Sequence, residues 1–334
     1  MTLNGRVKVL YIAGFGRSGS TILASILGQI GGFFSTGELR YVWKFNVLDN
    51  TICGCGTPFR ECNVWNSVFD DAFGGMDGVD AHEMVRLQNL STRTRHIPLV
   101  LMPWGRRLLA SRLQNYSENL GKLYQAIQAR TGSRVIVDSS KLPMYGFVLD
   151  TIPSIDLYVV HLIRDPRGVS YSWQKKRLLP PLPGKKDPIY QYNYSPISRS
   201  ILWAITNVAV EMFWRRRSKR YLKLRYEDLV DRPRESLRRI LELVHEQESD
   251  PLLPLVAERT LDLEVNHTTS GNPSRFRAGT VELRRDTEWE SRMKLKYKAV
   301  TTLLTWPFLL RYRYPVARIQ SVYRTLKQAR NPTQ

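Results

Sequence analysis

Apolar and polar positions along the chain fall into short strand-like runs alternating with helical periods. Val7 to Ala13 (VKVLYIA) are mostly apolar and β-branched or aromatic, the pattern of a strand buried in a parallel sheet. The run breaks at Gly14-Phe15-Gly16. Ile22, Ile26, Leu27 and Ile30 then recur at helical spacing, so the pattern predicts strand, glycine turn and helix in immediate succession. Gly31-Gly32 ends that helix, and Phe33 to Arg40 (FFSTGELR) leads back across the sheet edge. Further strands are expected at Arg134 to Asp138, Leu157 to Ile163 and Tyr221 to Tyr226, with helical patterns between them at Ile201 to Arg217 and Pro233 to Val244.

Strands and helices in series imply the α/β class, a parallel sheet with crossover helices on both faces. Ligands on such sheets bind beyond the carboxyl ends of the strands. Here those ends carry Asp138-Ser139-Ser140-Lys141, Arg164-Asp165-Pro166-Arg167 and Glu227-Asp228-Leu229, so one rim is expected to gather the chemistry. The chain reads as a single domain over residues 1–334, with a helical insertion at about 66–130 and a basic C-terminal helical extension at about 291–334. Pro180 to Pro196 and His267 to Arg277 read as loops near the cleft. The apolar run Ala299 to Leu310 is too short to span a bilayer and reads as a core helix or an amphipathic foot on anionic lipid.

The first turn has a more specific spacing. Gly14-x-x-x-x-Gly19-Ser20-Thr21 is the Walker A frame with serine where the lysine should stand. A glycine turn from strand to helix aims backbone N–H groups and the helix dipole at one spot, which makes an anion site. The missing lysine counts against ATP or GTP, while Arg17 supplies a guanidinium fork suited to anionic oxygens held without metal. Glu38 and Arg40 follow the loop by one helix and one return, close enough to face the same cleft.

Charge sharpens the class of partner. Fifty Lys and Arg against thirty Asp and Glu give a net charge of +20, which implies anionic partners. The N-terminus has no signal-peptide pattern and no apolar stretch has transmembrane length, so a cytoplasmic protein is expected, with a peripheral membrane contact left open. Cys53, Cys55 and Cys62 stand together in CGCGTPFREC. Their odd number argues against a disulfide framework, and no histidine lies nearby at finger-like spacing, so a structured loop with buried thiols is expected and no metal.

Taken together, the lysine-less phosphate loop, Arg164 with Ser172 eight residues on, and the YEDL of Tyr226 to Leu229 resemble the sulfotransferases that use 3′-phosphoadenosine 5′-phosphosulfate (PAPS). The resemblance runs from the first strand to roughly Arg285 and is nearer to the tyrosylprotein and bacterial branch than to the cytosolic aryl enzymes, whose catalytic histidine has no match here. His161 is expected to be packed inside its strand. The resemblance implies that Gly16, Arg17, Ser18, Gly19, Ser20 and Thr21 form the 5′-phosphosulfate-binding loop. It implies Arg164 and Ser172 at the 3′-phosphate, Tyr226 by the adenine, and Arg275 and Arg277 in a late segment closing over the nucleotide. It also implies that Glu38 is the general base with Arg40 orienting it, and that Lys141 reaches the transferring sulfuryl group. The products would be 3′-phosphoadenosine 5′-phosphate (PAP) and a sulfated acceptor, and nucleic acid is not expected as a partner.

Two rivals remain at this level. Val135 to Asp138 resembles a Walker B strand, as in a kinase or NTPase using Mg-ATP, and the charge alone would also suit a nucleic-acid or membrane binder. The aromatic residues of the insertion and of the Pro180 to Pro196 loop suggest a ring-bearing or partly apolar acceptor.

Overall fold

The structure, a computed structural model, describes residues 5–92, 94–175, 194–246 and 257–316. Most of the expected Pro180 to Pro196 loop, and the basic tail beyond residue 316, lie outside the described residues. The frame is a five-stranded, wholly parallel sheet of β1 (Val7–Gly14), β2 (Phe33–Gly37), β3 (Val135–Lys141), β4 (Ile155–Ile163) and β5 (Tyr221–Arg225), in the order β2-β3-β1-β4-β5. The α/β class and the flanking helices agree with the sequence pattern. The strand Phe33–Gly37 adds to it: after two aromatic residues it runs Ser-Thr-Gly, which carries no strand signal, and Ser35 and Thr36 are nevertheless buried. Thr36 Oγ1 donates to Val137 O at 3.1 Å, so the neighbouring strand satisfies a polar side chain that the core would otherwise exclude. A small antiparallel pair, β6 (Thr260–Leu263) and β7 (Gly279–Glu282), stands apart from the main sheet.

β1 is the axis of the core because strand alternation sends its apolar side chains to both faces. Val7, Val9 and Tyr11 face the insertion side, where Trp43, Trp65, Phe69, Tyr116 and Tyr124 are fully buried. Leu10 and Ile12 face Leu23, Ile26 and Leu27 of the helix Ser20–Leu27, together with Ile240 of the helix Pro233–Leu243. Each such large apolar side chain contributes about 1.5–3 kcal/mol by leaving water, so the central strand is held firmly on two sides. Phe69, Tyr116 and Tyr124 of the insertion are thus core material, while Trp104 stays exposed.

The helix Leu295–Arg311 turns Thr301, Thr305 and Leu309 inward, packs on the helix Pro196–Trp214, and leaves Leu303, Trp306 and Leu310 exposed. Among the described residues no helix is long and apolar enough to cross a membrane.

Candidate active site

The carboxyl ends of β1, β2, β3 and β4 open into one cleft of about 990 Å³. Its floor is the turn after β1. Gly19 precedes the helix Ser20–Leu27 with φ +92°, and a Cβ there would stand 2.4 Å from the Tyr226 ring, so only glycine allows the aromatic to close on the loop. The first amides of that helix are left without intrahelical acceptors and point at the cleft, as an anion site requires. Arg17 lies in the loop at φ +71°, a costly conformation for a residue with a Cβ, with its guanidinium 5.1 Å from the centre of the Trp173 ring. Gly16, Arg17, Gly19, Ser20 and Thr21 all line the cleft, whereas Ser18 is buried behind the loop, its Oγ without a partner.

One wall is built by a local irregularity in β3. Tyr11 pairs with Asp138 and Ala13 with Lys141, so β3 carries one residue more than β1 over this stretch, a bulge that re-aims the strand end. Asp138, wholly buried, accepts from the Ser140 amide at 2.7 Å, from Ser140 Oγ at 2.5 Å and from the Tyr124 hydroxyl at 2.5 Å. Burial pushes its carboxyl up to about 6 against the pull of these bonds. Ser140 Oγ in turn accepts from the Arg40 amide at 3.0 Å, tying the end of β3 to the turn after β2. At the end of this brace Lys141 stands at φ +70°, and its Nζ meets Glu38 Oε1 at 2.5 Å, each side chain 14% exposed. Both line the cleft. Asp138 does not, so the Walker B resemblance is one of sequence alone: the aspartate is spent on bracing the turn.

β4 supplies the opposite wall. Asp165 caps the helix Pro166–Gln174 by accepting from the Arg167 amide, and this turn holds Arg164 at the strand end. Arg164 is 6% exposed; it donates to Arg17 O at 2.9 Å, pairs with Asp286 at 3.0 Å and lies 4.9 Å from the centre of the Tyr226 ring. Burial would raise the Asp286 carboxyl, yet the nearby Arg164 holds it below the ordinary range. Ser172, two turns into the helix, is buried and lines the same side of the cleft. The tyrosine, the arginine and the glycine loop therefore form one stack.

Several expectations need correction. Arg40 does not turn to Glu38: its guanidinium stacks on Tyr41, 4.7 Å from the ring centre, and reaches Thr92 at 3.4 Å, away from the cleft. Arg40 lies in the tight helical turn Leu39–Tyr41 that begins directly after Glu38. Arg275 is likewise turned inward, donating to Thr268 O at 2.6 Å and Ile52 O at 2.5 Å, while Gly271, Asn272, Ser274 and Arg277 line the cleft. The cysteine loop is not self-contained either, because His267 packs against Cys62. Among the described residues the aromatic wall consists of Phe15, Tyr41, Trp173 and Tyr226, all outside the insertion, and most of the Pro180 to Pro196 loop lies outside the described residues. Arg199 is a cation that no motif announced; it lines the cleft between Trp173 and Tyr194, with its guanidinium 5.2 Å and 3.8 Å from the ring centres.

His161 is packed inside β4 as expected, with Nδ1 2.7 Å from the Tyr221 hydroxyl and Nε2 2.8 Å from Asn207 Oδ1. Burial lowers its imidazole to about 4. As pH falls from the ordinary value of about 6.5, the unfolded chain gains a proton that the folded one refuses, so the fold loses roughly 3 kcal/mol by about pH 4. Asp138 acts in the opposite sense over an overlapping range. The test is therefore the slope: His161→Gln should flatten the fall of urea midpoint below pH 6.5, and an unchanged slope would remove the imidazole from this role.

Comparison with known proteins bears on this geometry. Residues 10–250 match the model of a family described as the sulfotransferase family. No curated protein matches the chain. Among solved structures, a sulfotransferase domain from the curacin biosynthetic pathway is similar over 93% of this chain and 98% of its own, at 17% identity and a TM-score of 0.51. The sulfotransferase domain of an olefin synthase from Synechococcus PCC 7002 is similar over 90% and 95%, at 19% identity and a TM-score of 0.48.

Proposed function

The chain belongs to the sulfotransferase family, and from that premise we propose that it moves a sulfuryl group from PAPS to a hydroxyl or amine of an acceptor, leaving PAP. The observation that carries this reading is that Glu38 and Lys141, bonded to each other, line the same cleft as the lysine-less anion loop and Arg164. A volume of about 990 Å³ is ample for a nucleotide and a second small group. The buried guanidinium of Arg164 and the stacked Tyr226 offer a phosphate and an adenine ring the partners they need.

In this reading the loop amides and Arg17 hold the 5′-phosphosulfate, Arg164 and Ser172 hold the 3′-phosphate, and Arg277 covers the nucleotide from the late segment. The donor supplies an activated sulfur–oxygen bond; the protein contributes position and fixed positive potential. Lys141 turns its ammonium from Glu38 toward the sulfonyl oxygens, where charge grows during in-line displacement. That exchange frees the Glu38 carboxylate to accept the proton of the attacking hydroxyl. Arg17 and Lys141 together provide the charge that a magnesium ion provides in phosphoryl transfer, so no divalent ion is assigned to the transfer step.

Thermal shift tests the reading against an NTPase. PAP at about 100 times its Kd should stabilise the fold by roughly 2.7 kcal/mol, a shift of several degrees, while Mg-ATP should give little. The reverse order would overturn the donor assignment. A basic nucleic-acid binder predicts neither shift.

A further inference from the structure

The three cysteines and His267 converge on one point although the histidine lies 205 residues beyond Cys62. Cys62 Sγ is 3.7 Å from Cys53 Sγ, 3.8 Å from Cys55 Sγ and 3.3 Å from His267 Nδ1, and all four atoms lie within 4.8 Å of one another. None of the cysteines is in a disulfide. A tetrahedral zinc with Zn–S near 2.3 Å and Zn–N near 2.0–2.1 Å has S···S edges of about 3.8 Å and S···N edges of about 3.6 Å. The three edges to Cys62 lie within about 0.3 Å of those values, and the remaining edges, none longer than 4.8 Å, need only a small contraction around an ion. A disulfide would need two sulfurs at about 2.05 Å and would leave a third thiol and the imidazole without a role.

The local chain is built to aim these atoms. Gly56 donates to Cys53 O at 2.9 Å at φ +90°, and Cys53 donates to Thr57 O at 2.8 Å, a tight knuckle that sets Cys53 and Cys55 side by side. Cys62 stands at the N-cap position of the helix Asn63–Phe73, which places its sulfur at the positive end of the helix dipole. Trp65 Nε1 donates to His267 O at 2.7 Å, fixing the backbone of the fourth ligand. Gly54 donates to Thr268 O at 2.9 Å, and a Cβ on it would stand 2.2 Å from Asn266 Oδ1, so the knuckle and the histidine segment touch backbone to backbone. Arg275 adds an independent sign. It is 5% exposed, and its hydrogen bonds go to Ile52 O, Thr268 O and the Thr268 hydroxyl, with no carboxylate among them. Three thiolates and one divalent ion leave a net charge of −1, which this buried guanidinium would balance.

We propose that Cys53, Cys55, Cys62 and His267 bind one Zn²⁺ in a closed, four-coordinate structural site. Its work is mechanical. His267 leads into Thr269, which donates to Thr36 O at 2.9 Å, and into Ser270, which accepts from the Glu38 amide at 2.9 Å. Gly271 to Ser274 then line the cleft. The ion thus clamps the segment that forms the nucleotide wall to the strand end that carries Glu38. With all four positions filled by protein, no position remains for substrate.

The full chain, purified without chelator, should carry about one zinc per molecule by mass spectrometry of the metal. Exchange for cobalt should produce thiolate-to-metal charge-transfer bands and the intense visible bands of tetrahedral cobalt. Cys62→Ser should lose most of the metal, while His267→Cys, which keeps four soft ligands, should retain it. Removal of zinc should raise hydrogen exchange across 266–274 with β1 unaffected. A folded, metal-free protein that takes up neither zinc nor cobalt would overturn the site, as would non-reducing peptide mapping that finds two of these cysteines joined. These readouts do not depend on sulfuryl transfer, so their failure is separate from failure of the proposed activity.

Discussion

Glu38→Gln lowers turnover about 10²–10⁴-fold in the expected result, with PAP affinity changed only a few-fold. The amide keeps the size of the carboxylate and can still face Lys141, but it has no lone pair basic enough to take the proton of the acceptor hydroxyl. In the proposed mode the nucleotide is held elsewhere, by the loop after β1 and by Arg164, so equilibrium binding should not follow the loss of rate. This split between kcat and nucleotide Kd separates a base from a residue that shapes the cleft. Near-normal turnover in Glu38→Gln would remove the base assignment, and a parallel collapse of PAP binding would make the carboxylate a brace that holds Lys141 in the wall of the cleft.

Arg164→Ala is expected to weaken PAP binding by about 10²–10³-fold, the worth of a buried, charge-assisted fork. The loss should depend on the 3′-phosphate: adenosine 5′-phosphosulfate, which lacks that group, should bind wild type and variant almost alike. Removal of the guanidinium also leaves Asp286 facing the phosphate unneutralised, which adds to the penalty. Arg164→Lys should recover only part of the affinity, because a point charge cannot donate to Arg17 O and to a phosphate in the same plane. Titration calorimetry with the two nucleotides decides it. An equal loss for both would assign Arg164 to loop support through Arg17 and leave the 3′-phosphate without its main partner.

The frame of this site was readable from residue pattern because periodicity and glycine are local signals. Val7 to Ala13 alternates faces in one unbroken run, and the glycines that follow permit a single kind of corner. β2 was not readable as a strand, since Thr36 is buried through hydrogen bonds to neighbours distant in sequence, and the small Ser35 is buried beside it. Nearness in sequence also misled on direction. Arg40 lies two residues from Glu38 and Arg275 two from Arg277, yet in each pair one side chain enters the cleft and the other turns inward. Arg199 and Asp286 reach the cleft from elements with no motif of their own, and His267 finds the cysteines only through tertiary folding. Residue type and spacing report which chemistry is present; the crossings of the chain decide which members of it meet.

The strand order has a consequence for the size of what the cleft accepts. Glu38 leaves the end of β2 and Arg164 the end of β4, three inter-strand steps apart in the order β2-β3-β1-β4. At about 4.8 Å per step the backbone holds those two ends roughly 14 Å apart, and the hydrogen-bonded pitch of a sheet does not stretch. The sheet is in effect a ruler laid beside the proposed donor. A compact activated sulfate can touch one mark on it but not both, so the length of the nucleotide, as much as its charge, would determine what this protein can use.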